Sequence, residues 1–478
     1  MEVYQQQRDN EYDATGSIWV RDKVRDDPTD SPCCSCIEPS ASFTFKASYT
    51  SNSMTILNTT FRFFHSHLQM SNGNITAPNG DMASDTQANG LSADDFALYD
   101  RQIRLWGAKA QEQIRNANVL LVSLRALGTE IAKNLTLAGI RSLTIIDDEP
   151  VVEEDLGACY FLRDADVGKP RAEAAMPRIQ DLNPRVTVAS GGGLAELMTK
   201  DQNYYAAYSV IVACDHDFTT LNVINTGARV AQKPFYAASS YGMYGFVFAD
   251  LVSHEYVIER EQSNMPTTIK AESLTRSVTS TSSKKEPTGK TTEIVQKREI
   301  YCPLLLANSS PLPKDILSNR RKLKAVPALL PCIRALFDFQ RTFARLPDHT
   351  PQDAASFISL AKNKAGELQL PPDTLTGDFI KSFMQNIGAE IITTAAFVGG
   401  RLSEDVLNVL GQREQPIQNF ALFDFETLVS PIYCLYSPPP ELVMPTLNGH
   451  VGLLNGLDTV PVPVAEGVVP AAEVLELE

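Results

Sequence analysis

The sequence predicts an α/β protein built on a doubly wound, mostly parallel sheet, and three observations lead there. Short apolar runs rich in Val, Ile and Leu recur along the 478 residues, segments of helical periodicity alternate with them, and a turn ending in glycine joins the first such run to its helix. An apolar fraction of 43% over that length is enough for a substantial core.

The pattern starts at Asp94. Asp94 or Asp95 caps a helix in which Leu105, Trp106 and Ile114 recur at helical spacing as far as Arg115. A strand over 118–124 (NVLLVSL) is apolar enough to be buried on both faces. A turn to Gly128, a helix over 129–138 and a second strand over 142–147, ending in acid, complete a βαβ unit of Rossmann-like type. The alternation continues with a helix over 170–182, stopped by Asn183-Pro184, and strands over 186–189 and 209–214. A helix over 218–231 and strands over 234–239 and 244–251 follow.

Residues 261–295 are rich in Ser, Thr and Lys without apolar periodicity and read as a mobile insertion. Residues 312–385 read as helical, with Leu329, Ile333, Leu336 and Phe337 forming one stripe that is core packing rather than a partner groove. A long apolar helix over 388–410, interrupted by Gly399-Gly400, leads to closing strands over 419–425 and 431–436. The expected layout is a disordered extension over 1–92, the first part of the α/β domain over 93–260, a mobile loop and helical insertion over 261–374, the closing helix and strands over 375–437, and a loose tail over 438–478. Met70 is a second plausible start, which makes residues 1–69 an extension of doubtful biological standing.

Bulk properties exclude several functions. A formal net charge of −15 argues against non-specific nucleic-acid binding, which rests on clustered Lys and Arg. There is no run of eighteen apolar residues to span a membrane. The polar, acidic start MEVYQQQRDNEYD is no secretory signal. Eight mostly isolated cysteines suit a reducing compartment, and the cluster Cys33, Cys34 and Cys36 has no second ligand pair with which to close a zinc tetrahedron, so no metal site is expected.

The turn after the first strand decides the chemistry. A nucleotide-binding βαβ unit carries G-x-G-x-x-G there, so that backbone and helix amino end can approach phosphate. Here the hexapeptide 123–128 reads Ser-Leu-Arg-Ala-Leu-Gly, and only the glycine for close helix–strand packing remains. Ser123 and Arg125 take the room that phosphate needs; alternatively, Arg125 itself binds phosphate. Asp147 and Asp148 end the second strand, where an acid can grip ribose hydroxyls or simply close a loop.

The segment 98–107 (LYDRQIRLWG) resembles the amino-terminal signature of the ubiquitin-activating enzyme, or ThiF-type, superfamily. Its Trp-Gly ending is similar to that of the small, non-thioester subunits of the SUMO-activating branch. The likeness continues in 119–138, 166–174 (DVGKPRAEA), 182–184, 241–250 (YGMYGFVFAD), 396–400 (AFVGG) and 419–424 (NFALFD). It covers roughly 94–260 and 375–437; the first motif is specific and each of the others is weak alone.

The resemblance implies an adenylation-type domain that pairs with a larger, thioester-carrying subunit and serves a SUMO-type modifier. ATP and Mg2+ are then expected in the partner's site and none in this chain, which is inactive alone. It implies that Arg101 reaches the partner's ATP phosphates; alone, Arg101 reads as a surface-helix arginine paired with Asp100 or Asp94. Lys169 and Asp215 match positions that contact ATP and magnesium in active members, and with Asp147 they are expected to be vestigial; Asp215 otherwise reads as a helix cap near Asp217. The stretch 155–161 (DLGACYF) lacks the Asn and Arg of active members. Cys159, Cys214, Cys302, Cys332 and Cys434 lie in or beside apolar runs, as buried and inert thiols do.

Two alternatives remain. The equivalent subunit for a NEDD-type modifier usually has a longer helical insertion than 261–385 provides, and a stand-alone ThiF-like adenylyltransferase needs an intact glycine loop. The resemblance also implies a nuclear location, with the cytoplasm as a second one; the basic run 319–324 (NRRKLK) is a candidate nuclear signal, although such short runs are more often solvated helix faces.

Overall fold

The structure, a computed structural model, describes residues 91–263, 265–285 and 291–438. The expectations for residues 1–90 and for the tail beyond 438, together with Cys33, Cys34 and Cys36, lie outside the described residues.

The first helical stretch is three short helices rather than one: α1 (Ala93–Leu98), α2 (Asp100–Trp106) and α3 (Ala108–Arg115). Its cap is Ser92, not Asp94 or Asp95. Ser92 Oγ accepts from the Asp95 N–H at 3.1 Å while the Asp95 carboxylate accepts from the Ser92 N–H at 3.1 Å, a reciprocal capping box. Gly107, with φ of +87°, turns the chain between α2 and α3.

The βαβ alternation then runs β1 (Asn118–Val122), α4 (Ala126–Ala138), β2 (Ser142–Ile146), α5 (Arg171–Leu182), β3 (Thr187–Ser190), α6 (Leu194–Leu197), α7 (Gln202–Ala206), β4 (Val210–Cys214), α8 (Phe218–Val230), β5 (Phe235–Tyr241) and β6 (Tyr244–Asp250). A second sheet, β7 (Ser253–Glu261), β8 (Arg276–Lys285) and β9 (Thr291–Ile300), follows. Helices α9 (Leu304–Ser309), α10 (Lys314–Leu317), α11 (Arg320–Lys324), α12 (Leu329–Phe343), α13 (Pro351–Glu367), α14 (Gly377–Asn386) and α15 (Ile392–Leu410) lead to β10 (Phe420–Asp424) and β11 (Ile432–Tyr433).

The main sheet has the order β11-β10-β6-β5-β4-β1-β2-β3. Strands β3, β2, β1, β4 and β5 pair in parallel, and β6, β10 and β11 extend them antiparallel. Every residue of β4, β5, β6 and β10 is buried, as continuous apolar runs require. Side-chain alternation divides each strand between two cores. Val119 and Leu121 join Leu127, Ile131, Ile179, Val398 and Leu402 beneath α4, α5 and α15. Leu120 and Val122 join Leu221, Ile224, Leu329, Phe337 and Phe383 beneath α8 and α12 to α14. The stripe Leu329, Ile333, Leu336 and Phe337 is core, each residue fully buried.

Two expectations are corrected here. The segment 261–295 is not a structureless insertion: β8 and β9 pair antiparallel across it, and β9 pairs with β7. Its apolar signal is weak because most of β8 faces solvent, leaving Val278 as the buried side chain of that strand. Cross-strand ion pairs Arg260–Glu293, Arg276–Glu299 and Arg298–Glu255 substitute for apolar contacts. Gly399 and Gly400 do not interrupt α15, which is continuous. Gly399 lies where α15 crosses α4, and a Cβ there would stand 3.0 Å from Glu130 Cβ.

Gly128 has the packing role that the sequence assigns it. It lies in the first turn of α4, and a Cβ added there would sit 2.1 Å from the Ser123 backbone oxygen. Gly128→Ala is therefore expected to cost about 1–3 kcal/mol or more through overpacking against backbone, read as a lowered urea midpoint. An unchanged midpoint would contradict this packing.

Candidate functional site

In a doubly wound sheet, ligands bind where neighbouring crossovers leave in opposite directions, beyond the carboxyl ends of the strands. Here that point lies between β1 and β4, and the loops after β1, β2 and β4 surround it. Ser123, directly after β1, has φ of +77°, and Asp215, directly after β4, has φ of +55°. These are left-handed conformations that side chains enter at a cost.

A buried ion network closes the β2 side. Arg171 Nη1 donates to both oxygens of Asp147, at 2.9 and 2.8 Å, and Arg171 Nε donates to Asp155 at 3.2 Å. All three residues are buried. Asp147 also accepts from the Leu124 N–H at 2.7 Å, and Asp155 from the Val152 N–H at 3.0 Å. Burial opposes the charge on Arg171, but Asp147 and then Asp155 outweigh it and hold the guanidinium above its ordinary pKa. The carboxylate at the ribose-binding position is thus spent on an internal cation and on the turn itself.

A second ion pair stands across the phosphate position. Arg125 Nε lies 2.6 Å from Glu390 Oε1, joining the turn after β1 to the approach to α15. Arg125, Gly388 and Glu390 line two clefts, one of about 490 Å³ toward Asp215 and α12 and one of about 670 Å³ toward Pro150 and Gly157. The pair is therefore a partition where a nucleotide turn would be open.

On the β4 side, Asp215 Oδ1 accepts from the Ser240 N–H at 3.1 Å. Burial, reinforced by Glu390, pushes the Asp215 carboxyl up to about 7, against the Ser240 N–H and Arg125. The cap of α8 is not Asp215 but Asp217, which accepts from the Thr219 and Thr220 N–H groups at 2.9 and 3.1 Å. Burial holds the neighbouring His216 below its ordinary pKa, against Asp147, Asp217 and Glu149.

Of the four residues singled out from the sequence, the fold brings Asp147 and Asp215 to the carboxyl edge of the sheet. Lys169 lies in the loop behind Asp147 but turns outward to Asp166 at 3.1 Å, its side chain 57% exposed. Arg101 is elsewhere. It sits exposed on α2, whose neighbours mark the opposite edge: Tyr99 packs on Gly139 at the carboxyl end of α4, and Gln102 donates to the Leu137 carbonyl. The length of α4, roughly 20 Å at 1.5 Å per residue, separates that end from the turn holding Arg125. Arg101 is therefore not part of this chain's own cleft.

Sequence reasoning missed Arg171, Asp155 and Glu390. The first two lie within motifs already noted, 166–174 and 155–161, and buried charge on them was the available clue. Glu390 meets Arg125 only through the tertiary fold.

The residues present do not fit ATP and Mg2+. The turn is closed by side chains, Asp147 is bound by Arg171, Lys169 by Asp166, and Glu390 by Arg125. Asp155, Cys159 and Glu390 offer ligand atoms within 4.8 Å of one another, but the two carboxylates already hold the same arginines. The thiols among the described residues are equally unsuited to nucleophilic work: burial pushes Cys159 up to about 12 and Cys302 up to about 11, and raises Cys214, Cys332 and Cys434 as well. No described helix is long and apolar enough to cross a membrane.

A doubly wound sheet with this antiparallel extension, bearing an adenylation-type cleft at its switch point, defines the class, and residues 99–435 match the ThiF family. The chain belongs to that family, whose chemistry is ATP-dependent adenylation. Within it, the chain is 36% identical to the DNA damage tolerance protein RHC31 of Saccharomyces cerevisiae over 73% of this chain and 99% of that protein. It is 31% identical to the DNA damage tolerance protein rad31 of Schizosaccharomyces pombe, over 72% and 98%. It is 33% identical to human SUMO-activating enzyme subunit 1, over 70% of this chain and 93% of that protein.

The raised Asp215 carboxyl makes stability depend on pH. Between 3.8 and about 7 the folded chain keeps this proton while the unfolded chain has lost it, so stability falls as pH rises through that window. Asp215→Asn removes the term. The variant is expected to match the parent near pH 4 and to exceed it at pH 8 by on the order of 4 kcal/mol, read from thermal unfolding. A pH-independent difference would contradict the assignment.

Proposed function

We propose that this chain is the small, non-thioester subunit of a heterodimeric activating enzyme for a SUMO-type modifier, and that it completes the partner's adenylation site in trans. One observation carries the reading: the chain matches nearly the whole of human SUMO-activating enzyme subunit 1 while its own nucleotide cleft is closed by Arg171 and by Arg125–Glu390. A scaffold preserved without its ligand site acts through a neighbour. The partner supplies the ATP and Mg2+ site and the acceptor cysteine; the high pKa values of the described thiols fit that division of labour. Asp147, Lys169 and Asp215 are then vestigial as a nucleotide site, and the chain is inactive alone.

Arg101 is the group that crosses. It is exposed, carried on a helix, and held about one helix length from its own cleft. Its guanidinium is permanently charged and planar, suited to bridging phosphate oxygens as charge develops during attack of the modifier's carboxylate on ATP. The apolar side chains of Leu98 and Leu105, 57% and 63% exposed, flank it and give a neighbouring subunit something to cover. Nuclear residence is part of the proposal and follows from the modifier system. It does not need the basic run 319–324, in which Lys322 pairs with Asp315 and Lys324 with Asp373.

The test is ATP–pyrophosphate exchange by the co-purified heterodimer. Arg101→Ala is expected to lower exchange about 10²-fold or more with the complex intact, and the isolated chain to give none. Undiminished exchange by the variant removes the trans arginine, and exchange by the chain alone favours a stand-alone adenylyltransferase.

A further inference from the structure

Besides Arg125 Nε, which stands 2.6 Å from Glu390 Oε1, three buried polar atoms without a hydrogen-bond partner among the described residues belong to residues lining the 490 Å³ cleft: Asp215 Oδ2, His216 Nε2 and Gln340 Oε1. They come from two elements. Asp215 and His216 lie in the turn after β4, and Gln340, only 9% exposed, lies on α12. A buried polar group left unpaired is costly, and three at one cavity mark the place of something that pairs them.

Asp215 Oδ2 is a carboxylate oxygen and Gln340 Oε1 an amide oxygen, both acceptors, and His216 Nε2 is a third acceptor in the Nδ1–H tautomer. A phosphate would bring only acceptors to meet them. The arginines around the cleft do not reverse this sign, because Arg345 donates to Asp353 at 2.9 Å, Arg341 lies 3.1 Å from Asp338, and Arg125 holds Glu390. An ammonium group brings three N–H donors and no acceptor. Tyr241, Ala344 and Leu346 give the same cleft an apolar wall for an alkyl chain.

We propose that the cleft between the turn after β4 and the carboxyl end of α12 binds a primary ammonium group carried on an alkyl chain, with Asp215 Oδ2, Gln340 Oε1 and His216 Nε2 as its three acceptors. A position that elsewhere faces a metal–phosphate group thus faces an organic cation here. The raised Asp215 carboxyl fits this: a cation at Oδ2 ionises it and gains a charge-assisted bond. The inference concerns this chain's own cleft and stands independently of the trans role of Arg101. A free diamine and a protein lysine offer the same group.

Isothermal titration of the full chain at low ionic strength with putrescine, Nα-acetyl-lysine methylamide and ATP tests it. We expect saturable one-to-one binding of an amine, weakened at least tenfold by Asp215→Asn and by Gln340→Leu, with no displacement by ATP. Putrescine alone binding assigns the site to free amines, the lysine derivative alone to a protein lysine, and both to the ammonium group itself. Thermal unfolding confirms that each variant is folded, and the two substitutions lie on different elements. Failure of both amines to bind, undiminished binding by Asp215→Asn, or displacement by ATP overturns the proposal.

Discussion

The rest of the site is arranged around the buried pairing of Arg171 with Asp147 and Asp155. Bringing three charges into the interior is costly unless they are paired and hydrogen-bonded. The network meets that condition by recruiting the Leu124 and Val152 N–H groups, so it ties the turn after β1, the end of β2, the 155–161 loop and the start of α5 into one unit. Loss of one member strands charge in the core, a penalty of about 3–5 kcal/mol. The geometry that binds the strand ends together therefore also denies Asp147 to a nucleotide.

A nucleotide cleft and a closed one differ here by a few side chains rather than by fold. The parallel strands, the crossover helices and Gly128 all persist, since each is needed to pack the two cores. The closure is confined to the loops at the carboxyl edge, where Ser123 fills space and Arg125 and Glu390 neutralise each other. At the other edge, the helix carrying Arg101 is tied to the end of α4 through Gln102 and leaves Arg101 exposed. Scaffold and chemistry are separable because packing is decided within the sheet and ligand binding beyond its ends.

Much of this was legible in the sequence. The buried strands announced themselves as continuous apolar runs, and the missing glycines at 123 and 125 foretold a closed turn. The second sheet was not legible, because β8 exposes most of its side chains and is held by backbone pairing and cross-strand charge, neither of which leaves a hydrophobic period. The three-part break of the first helix was missed because Tyr99 and Gly107 act through backbone angles. Glu390 was invisible because its partner Arg125 is far away in sequence, and Asp215 and Gln340 share a cavity only once α12 is laid across the sheet. Local pattern reveals elements; long-range pairing of charges does not appear in it.

The central claim is that a complex containing this chain has one working nucleotide site and that it belongs to the other subunit. The most direct measurement is the number of ATP molecules bound per heterodimer at saturation, by equilibrium dialysis in the presence of Mg2+. The account predicts one, retained when Asp147 and Asp215 of this chain are replaced by Asn. Two per heterodimer, falling to one on those replacements, would contradict it.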